Sequence, residues 1–273
     1  RMICQGGLAI LLLMTTASAT AALFSAILPS SRSTQVDTPA TVFATISSTN
    51  EAAVTGCSVA LLSPVDADFS YQTTDAVTNT PTGSANTPVT IPAMGSQSFV
   101  LTITANSEMA ATDVSFTFSC DNDGPAPTFI KLNTLLFSAS ATPVSDVIAL
   151  VATVSNDGIV TMPGSPALGF FTVASVNIGT SSTITVTPSL GTSTPAIDHL
   201  LICQTDLPGA CMSPAAAGSL SLTIDNGATP TFAVFATTDE AMSLDPANNR
   251  IFVEFTEDGA PRGLTSVALT GGG

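Results

Sequence analysis

The chain has 273 residues, 45% hydrophobic and only 9% charged, with five basic residues against twenty acidic ones and a formal charge of −15. A balance this acidic repels DNA, RNA and anionic lipid and offers no basic patch to offset the repulsion, so none of these is an expected partner. With 14 Phe, one Tyr and no Trp, alongside 18 Pro and 19 Gly, the composition points to many short strands, frequent turns and a solvated acidic surface.

The N-terminus reads as a targeting segment. No charged residue lies between Arg1 and Arg32, and residues 8–14 form a compact apolar core. Small residues follow at Ala17-Ser18-Ala19 and Thr20-Ala21-Ala22, of the kind a signal peptidase accepts. Residues 1–22 are therefore expected to be a signal peptide cleaved near residues 19–22. The competing reading is an uncleaved anchor, since apolar residues resume at 23–28. The polar interruption at residues 15–20 breaks the roughly 20-residue run that a spanning helix needs. The expected location is secreted, periplasmic or cell surface, with no membrane insertion once the signal is removed.

In the mature chain, residues 23–28 read as the first strand and residues 29–32 as a turn. Val42 to Ile46 leads on to Cys57, Val59 and Leu61, which share one phase. Residues 91–127 read as two strands with a period of two. Phe99, Leu101 and Ile103 line one face of the first; Val114, Phe116, Phe118 and Cys120 line one face of the second. This stretch returns at residues 224–262, which implies two copies of one β-module: 23–141, ending in a strand over 128–140, and 142–273. Residues 141–143 read as the linker. Cys57 and Cys120 are both on the apolar side, so a disulfide across a sandwich core is expected, as in immunoglobulin-type domains. Two buried free thiols are the alternative, disfavoured by export. Closing that loop stabilises by about 4 kcal/mol.

The second module opens with a strand after Asp146 and a turn at Asn156-Asp157-Gly158, a hairpin signal. Strands over 169–178 and 183–188 follow. Cys203 and Cys211 flank Leu207-Pro208-Gly209, a loop short enough for a local disulfide that stabilises by about 2.6 kcal/mol at most. The two pairs use every cysteine of the mature chain.

Candidate chemistry is sparse. His199 is the one histidine. A triad with Asp198 and Ser193 fails because adjacent strand residues point to opposite faces, and residues 191–195 are not a nucleophile elbow. A zinc site of His199, Cys203 and Cys211 lacks the tight spacing such sites use. A sugar cleft would want aromatic walls that this composition does not supply. No phosphate loop or dinucleotide fingerprint is present. Calcium is the one metal with support: Asp121 and Asp123 at the end of one strand, and Asp245 and Asn248 in a loop of the second module, are hard oxygen ligands at loop ends. Ordinary Asx-turn chemistry uses the same residues. No other cofactor is expected, and the chain reads as non-enzymatic.

Residues 41–71, TVFATISSTNEAAVTGCSVALLSPVDADFSY, resemble the opening of bacterial immunoglobulin-like surface modules of the cell-adhesion-related and conserved-repeat type. Residues 87–104, TPVTIPAMGSQSFVLTIT, are similar to the Ile-Pro-Ala-Gly-Gly-Ser hairpin of those modules, with Met94 where Gly is usual. The resemblance spans about residues 41–120. It implies an all-β protein: two tandem antiparallel immunoglobulin-like β-sandwiches after an N-terminal signal segment. The implied function is structural or adhesive, in the bacterial envelope or outside it, with a surface, protein or glycan as partner. A secreted hydrolase, or an accessory module of one, is the alternative.

Overall fold

The computed structural model describes residues 22–191 and 197–271, so the expected signal segment (Ala22 apart) and Ser193 lie outside the described residues. The described chain is all β-strand and turn, without an α-helix. No helix among the described residues is long and apolar enough to cross a membrane.

The first half contributes β1 (Leu23–Leu28), β2 (Ser31–Gln35), β3 (Ala40–Ser48), β4 (Val54–Leu61) and β5 (Ala67–Thr74). It continues with β6 (Val89–Ile91), β7 (Ser96–Ala105), β8 (Met109–Val114), β9 (Phe116–Ser119) and β10 (Leu135–Ser140). The second half contributes β11 (Val147–Ala152), β12 (Ile159–Met162), β13 (Ala167–Asn177), β14 (Ser182–Leu190) and β15 (His199–Thr205). Its remaining strands are β16 (Ala216–Ala217), β17 (Leu220–Ile224), β18 (Thr231–Thr238), β19 (Arg250–Glu257) and β20 (Ala260–Gly271).

The two halves share one strand order. One sheet runs β1-β3-β7-β5 in the first half and β11-β13-β18-β15-β16 in the second. Facing them, β4 pairs with β6 and β9 just as β14 pairs with β17 and β19. The last strand of each half, β10 or β20, runs parallel to that half's second strand, β2 or β12. The repeated stretches therefore fall on equivalent strands: β7 with β8–β9, and β18 with β19.

Alternation explains the layers. In β7 the side chains of Phe99, Leu101, Ile103 and Ala105 are buried, while the residues between them are not. Phe99, Phe116, Phe118 and Phe137 fill one core and Phe171, Phe232 and Phe255 the other, and the two cores are separate clusters. Each fully buried Phe contributes about 1.5–3 kcal/mol.

Several sequence expectations need correction. Residues 29–32 are not simply a turn, because β2 begins at Ser31 and is buried from Ser31 to Thr34. Of residues 128–140 only 135–140 form a strand; the rest loops, with Lys131 in the left-handed region. The Asn156–Gly158 turn is present, but β11 pairs with β13 and β12 with β20, so it carries the chain from one sheet to the other instead of closing a hairpin. The fourth concerns Cys57 and Cys120. They do form a disulfide, yet not across the two sheets. β4 and β9 are neighbours in register Ser58↔Ser119, which sets the two cysteines directly opposite each other within one sheet. Their Cα atoms are 3.9 Å apart, closer than the about 4.4–6.8 Å usual for disulfides. Apolar phase reports which face a residue is on, not which sheet its strand joins.

The turn that carries the family resemblance joins β6, paired with β4, to β7, paired with β3 and β5, so it passes between sheets and is not the expected hairpin, and it has a checkable local feature. Met94 sits at φ 51°, the left-handed region, with its side chain 68% exposed. Its N–H donates to the Asn50 carbonyl, and Gly95 donates to the Pro92 carbonyl. A side chain here strains the backbone and buries little in return. Met94→Gly is expected to stabilise by about 1 kcal/mol, raising Tm by about 2–4 °C in a thermal melt; an unchanged or lower Tm would refute the strain.

Candidate functional site

An extended network of buried polar side chains lies where the halves meet. It is built on β2, whose sequence Ser31-Arg32-Ser33-Thr34 is polar yet no more than 7% exposed at any of these positions. Buried polar groups are costly unless paired, and here the partners come from the second half. Arg32 Nε donates to Asp146 Oδ2 at 2.9 Å, and the Ser33 N–H donates to Asp146 Oδ1 at 3.0 Å. Both oxygens of the carboxylate are thus held by one strand. Leu264 of β20 donates its N–H to Ser31 Oγ at 2.7 Å. Arg32 also donates to the Thr41 carbonyl, which anchors the cation in its own half.

Asp146 is itself fixed from behind. Its N–H donates to Asn177 Oδ1 at 3.1 Å, and its carbonyl accepts from the Ile178 N–H at 2.9 Å. Asn177 is fully buried, and its Nδ2 donates to the carbonyls of Thr180 and Ile224. Gly179 lets this backing close up, because a Cβ there would lie 2.2 Å from the Val144 carbonyl oxygen.

The network extends to a second ion pair, Arg262 Nε to Glu257 Oε2 at 2.9 Å. Ser145 donates to the same carboxylate oxygen, and Arg262 Nη1 lies 3.5 Å from Ser138 Oγ. Ser138 Oγ in turn shares a hydrogen bond of 2.9 Å with Ser33 Oγ. A further contact between halves is Lys131, whose Nζ stands 5.5 Å from the centre of the Phe252 ring.

Electrostatics reflects the burial of this joint. Burial pushes the Asp146 carboxyl above the ordinary aspartate range, with Arg32, the Ser33 N–H and Arg262 pulling it back. Burial alone would also raise Glu257, but Ser182, Arg262 and Ser145 together hold it below the usual value. In such surroundings the charges are tolerated only in each other's company. This arrangement joins the two halves through buried polar bonds.

The residues singled out from sequence lie elsewhere. Cys203 and Cys211 form the second disulfide, which ties up both sulfurs of the zinc set considered with His199. Cys203 is fully buried on β15 but outside the core cluster of the second half, whereas Cys211 is exposed. His199 is exposed at the start of β15, and Asp198 accepts the Asp239 N–H at 3.0 Å. The calcium candidates sit in separate halves. Asp123 accepts from Asn50 Nδ2 and from the Gly124 N–H, and the Asp121 side chain lies over Gly56. Asp245 Oδ2 accepts from Asn248 Nδ2 at 2.9 Å. The Gly124 and Asn248 bonds are local to their turns, whereas the Asn50 bond ties two loops 73 residues apart. Among the described residues no three His, Cys, Asp or Glu side chains converge as a metal site would need. The joint residues Arg32, Asp146 and Asn177 escaped sequence reading. The one available signal was Arg32, a lone cation in a short polar run of a chain with few cations.

No protein-family model matches the chain, and no curated protein does. Solved structures similar to it include the secreted serine protease VesC from Vibrio cholerae, at 11% identity and TM-score 0.25, covering 88% of this chain and 50% of the protease. The chain thus spans about half the length of that protein. A protein of unknown function from Porphyromonas gingivalis W83 is 10% identical with TM-score 0.26, covering 90% of this chain and 97% of its own. BcpA, the major pilin subunit of Bacillus cereus, is 10% identical with TM-score 0.25, covering 91% and 69%. Likeness at this level carries no argument about function.

Proposed function

We propose that the chain is a non-enzymatic structural or adhesive unit acting outside the cytoplasm, made of two tandem immunoglobulin-like sandwiches held at a fixed angle. The observation that carries this reading is the buried polar joint. A protein that needs only two sandwiches is served by a flexible linker, whereas one that must keep a spacing or present a surface needs the angle fixed. The strand order supports the sandwich assignment: β1-β3-β7-β5 and β11-β13-β18-β15 follow the order A-B-E-D of immunoglobulin sheets, with β4–β9 and β14–β19 as the C–F pairs. The equivalence of the repeated strands supports duplication of one module. Two disulfides suit an oxidising compartment outside the cytoplasm. The partner is a surface, a protein or a glycan.

Antibody labelling of intact producing cells, with non-reducing peptide mapping of the same material, tests the reading. The expected result is protein accessible from outside, or released, carrying the 57–120 and 203–211 bridges. Protein confined within the cytoplasm with free thiols would overturn it.

A further inference from the structure

Four Asx-Gly steps lie in the connections between strands: Asp123-Gly124, Asp157-Gly158, Asn226-Gly227 and Asp258-Gly259. At such a step the glycine nitrogen can attack the side-chain carbonyl carbon before it, because glycine has no Cβ to stand in the way. The attack needs the reacting atoms within about 3–3.5 Å of each other. The fold decides which steps come close. Gly158 N–H donates to Thr153 Oγ1 at 3.1 Å, while Asp157 Oδ1 is taken up by Ser155 Oγ and the Ile159 N–H. Those bonds hold Asp157 below the ordinary aspartate range, in the ionised form that resists attack. Gly227 N–H donates to the Asn177 carbonyl at 2.7 Å, and Asn226 Nδ2 to the Gly179 carbonyl at 2.6 Å. Asp258-Gly259 is the tip of the β19–β20 hairpin, with both residues left-handed at φ 49° and 82°. Among the described residues no hydrogen bond joins its carboxylate to the Gly259 N–H.

Asp123 differs from all three. Gly124 N–H donates to Asp123 Oδ1 at 2.8 Å, so the nitrogen stands beside the carboxyl, whose carbon is one bond behind that oxygen. Asn50 Nδ2 donates to Oδ2 at 2.6 Å and pins the group in this orientation. The two loops are tied again at Asn122, which accepts the Thr55 N–H and donates to the Ala53 carbonyl. Gly124 is exposed, and a Cβ there would meet nothing within 4 Å, so water reaches the step. We propose that Asp123-Gly124 is a site of spontaneous succinimide formation and aspartate isomerisation in the folded protein. In the protonated acid the Gly124 nitrogen bonds to Asp123 Cγ, and the amide proton leaves with the carboxyl hydroxyl as one water. Water then opens the ring. Opening at Cγ restores aspartate; opening at the backbone carbonyl leaves isoaspartate, with the main chain routed through Cβ and longer by one carbon. Nothing is oxidised or reduced, and water is the sole co-reactant. The carboxylate now hangs directly on Cα, one carbon shorter, and its bond to Asn50 is lost. The proposal does not depend on the function proposed above.

Peptide mapping of the full chain tests it, after incubation of the folded protein at mildly acidic and at neutral pH, with isoaspartate located by electron-transfer fragmentation. The expected result is isoaspartate accumulating at Asp123 several-fold faster than at Asp157 or Asp258. In guanidinium chloride with reductant the three rates should converge, because the geometry that separates them is gone. Asn50→Ala, shown to be folded by its melt, should slow the reaction at Asp123 and leave the unfolded-state rate unchanged. Folded wild type in which Asp123 reacts no faster than Asp157 and Asp258 overturns the proposal, as does a lead left intact by Asn50→Ala. A lead of the same size in the unfolded chain also overturns it, by making the reactivity a property of local sequence.

Discussion

Replacing Arg32 with alanine is expected to destabilise the protein by about 3–5 kcal/mol at neutral pH, the cost of leaving a buried charge without its partner. The stranded group is Asp146, which is buried and backed by Asn177. Its response to pH makes the prediction specific. A carboxyl whose folded-state pKa lies above its unfolded value binds its proton more tightly when folded. Its contribution therefore favours folding most below the unfolded pKa and is lost as pH rises through the folded one. Asp146 is already raised by burial with Arg32 present, and losing Arg32 raises it further. The deficit of Arg32→Ala should thus be small in acid and grow toward neutrality, as followed by urea melts across that range. Arg32→Met with Asp146→Leu should recover most of the loss at neutral pH. What it would not recover is the about 1–3 kcal/mol for the Ser33 N–H, left buried without an acceptor. A deficit that is the same at acid and neutral pH would show that Asp146 is not the group at stake.

The two disulfides should contribute unequally. Alanine at both Cys57 and Cys120 removes a closure of 63 residues and is expected to cost about 4 kcal/mol; alanine at both Cys203 and Cys211 removes one of 8 and should cost about 2.5 kcal/mol. The sites also differ in access. Cys57 and Cys120 are buried in the first core, whereas Cys211 is exposed, so mild reductant should open the second bridge first. Equal losses in thermal or urea melts, or earlier reduction at Cys57, would contradict this.

How much of this was legible in the sequence depends on what each residue's neighbours reveal. Strands such as β7 announce themselves, because alternation along Phe99, Leu101 and Ile103 is set by the local period. The second disulfide was legible for the same reason, its partners being close in the chain. The sheet location of Cys57 and Cys120 was not, because it depends on which strand β4 pairs with across more than fifty residues. The start of β2, Ser31 and Arg32, reads as turn because these side chains look solvated; only the arrival of Asp146 and Leu264 from the other half satisfies them when buried. The outward placement of Phe170 on β13, where it is 49% exposed, was hidden in a run apolar at both parities. Phe170 beside Phe171 did carry a signal, since adjacent strand residues face opposite ways and one of the two rings had to point outward.

The claim that the halves form one fixed body is tested most directly by small-angle X-ray scattering of the monomer, isolated at low salt and low concentration. A single arrangement joined through Arg32 and Asp146 should reproduce the whole scattering curve, and Arg32→Ala at neutral pH should broaden it toward a mixture of angles. A wild-type curve that can be fitted only by an ensemble of inter-half orientations, unchanged in Arg32→Ala, would contradict it.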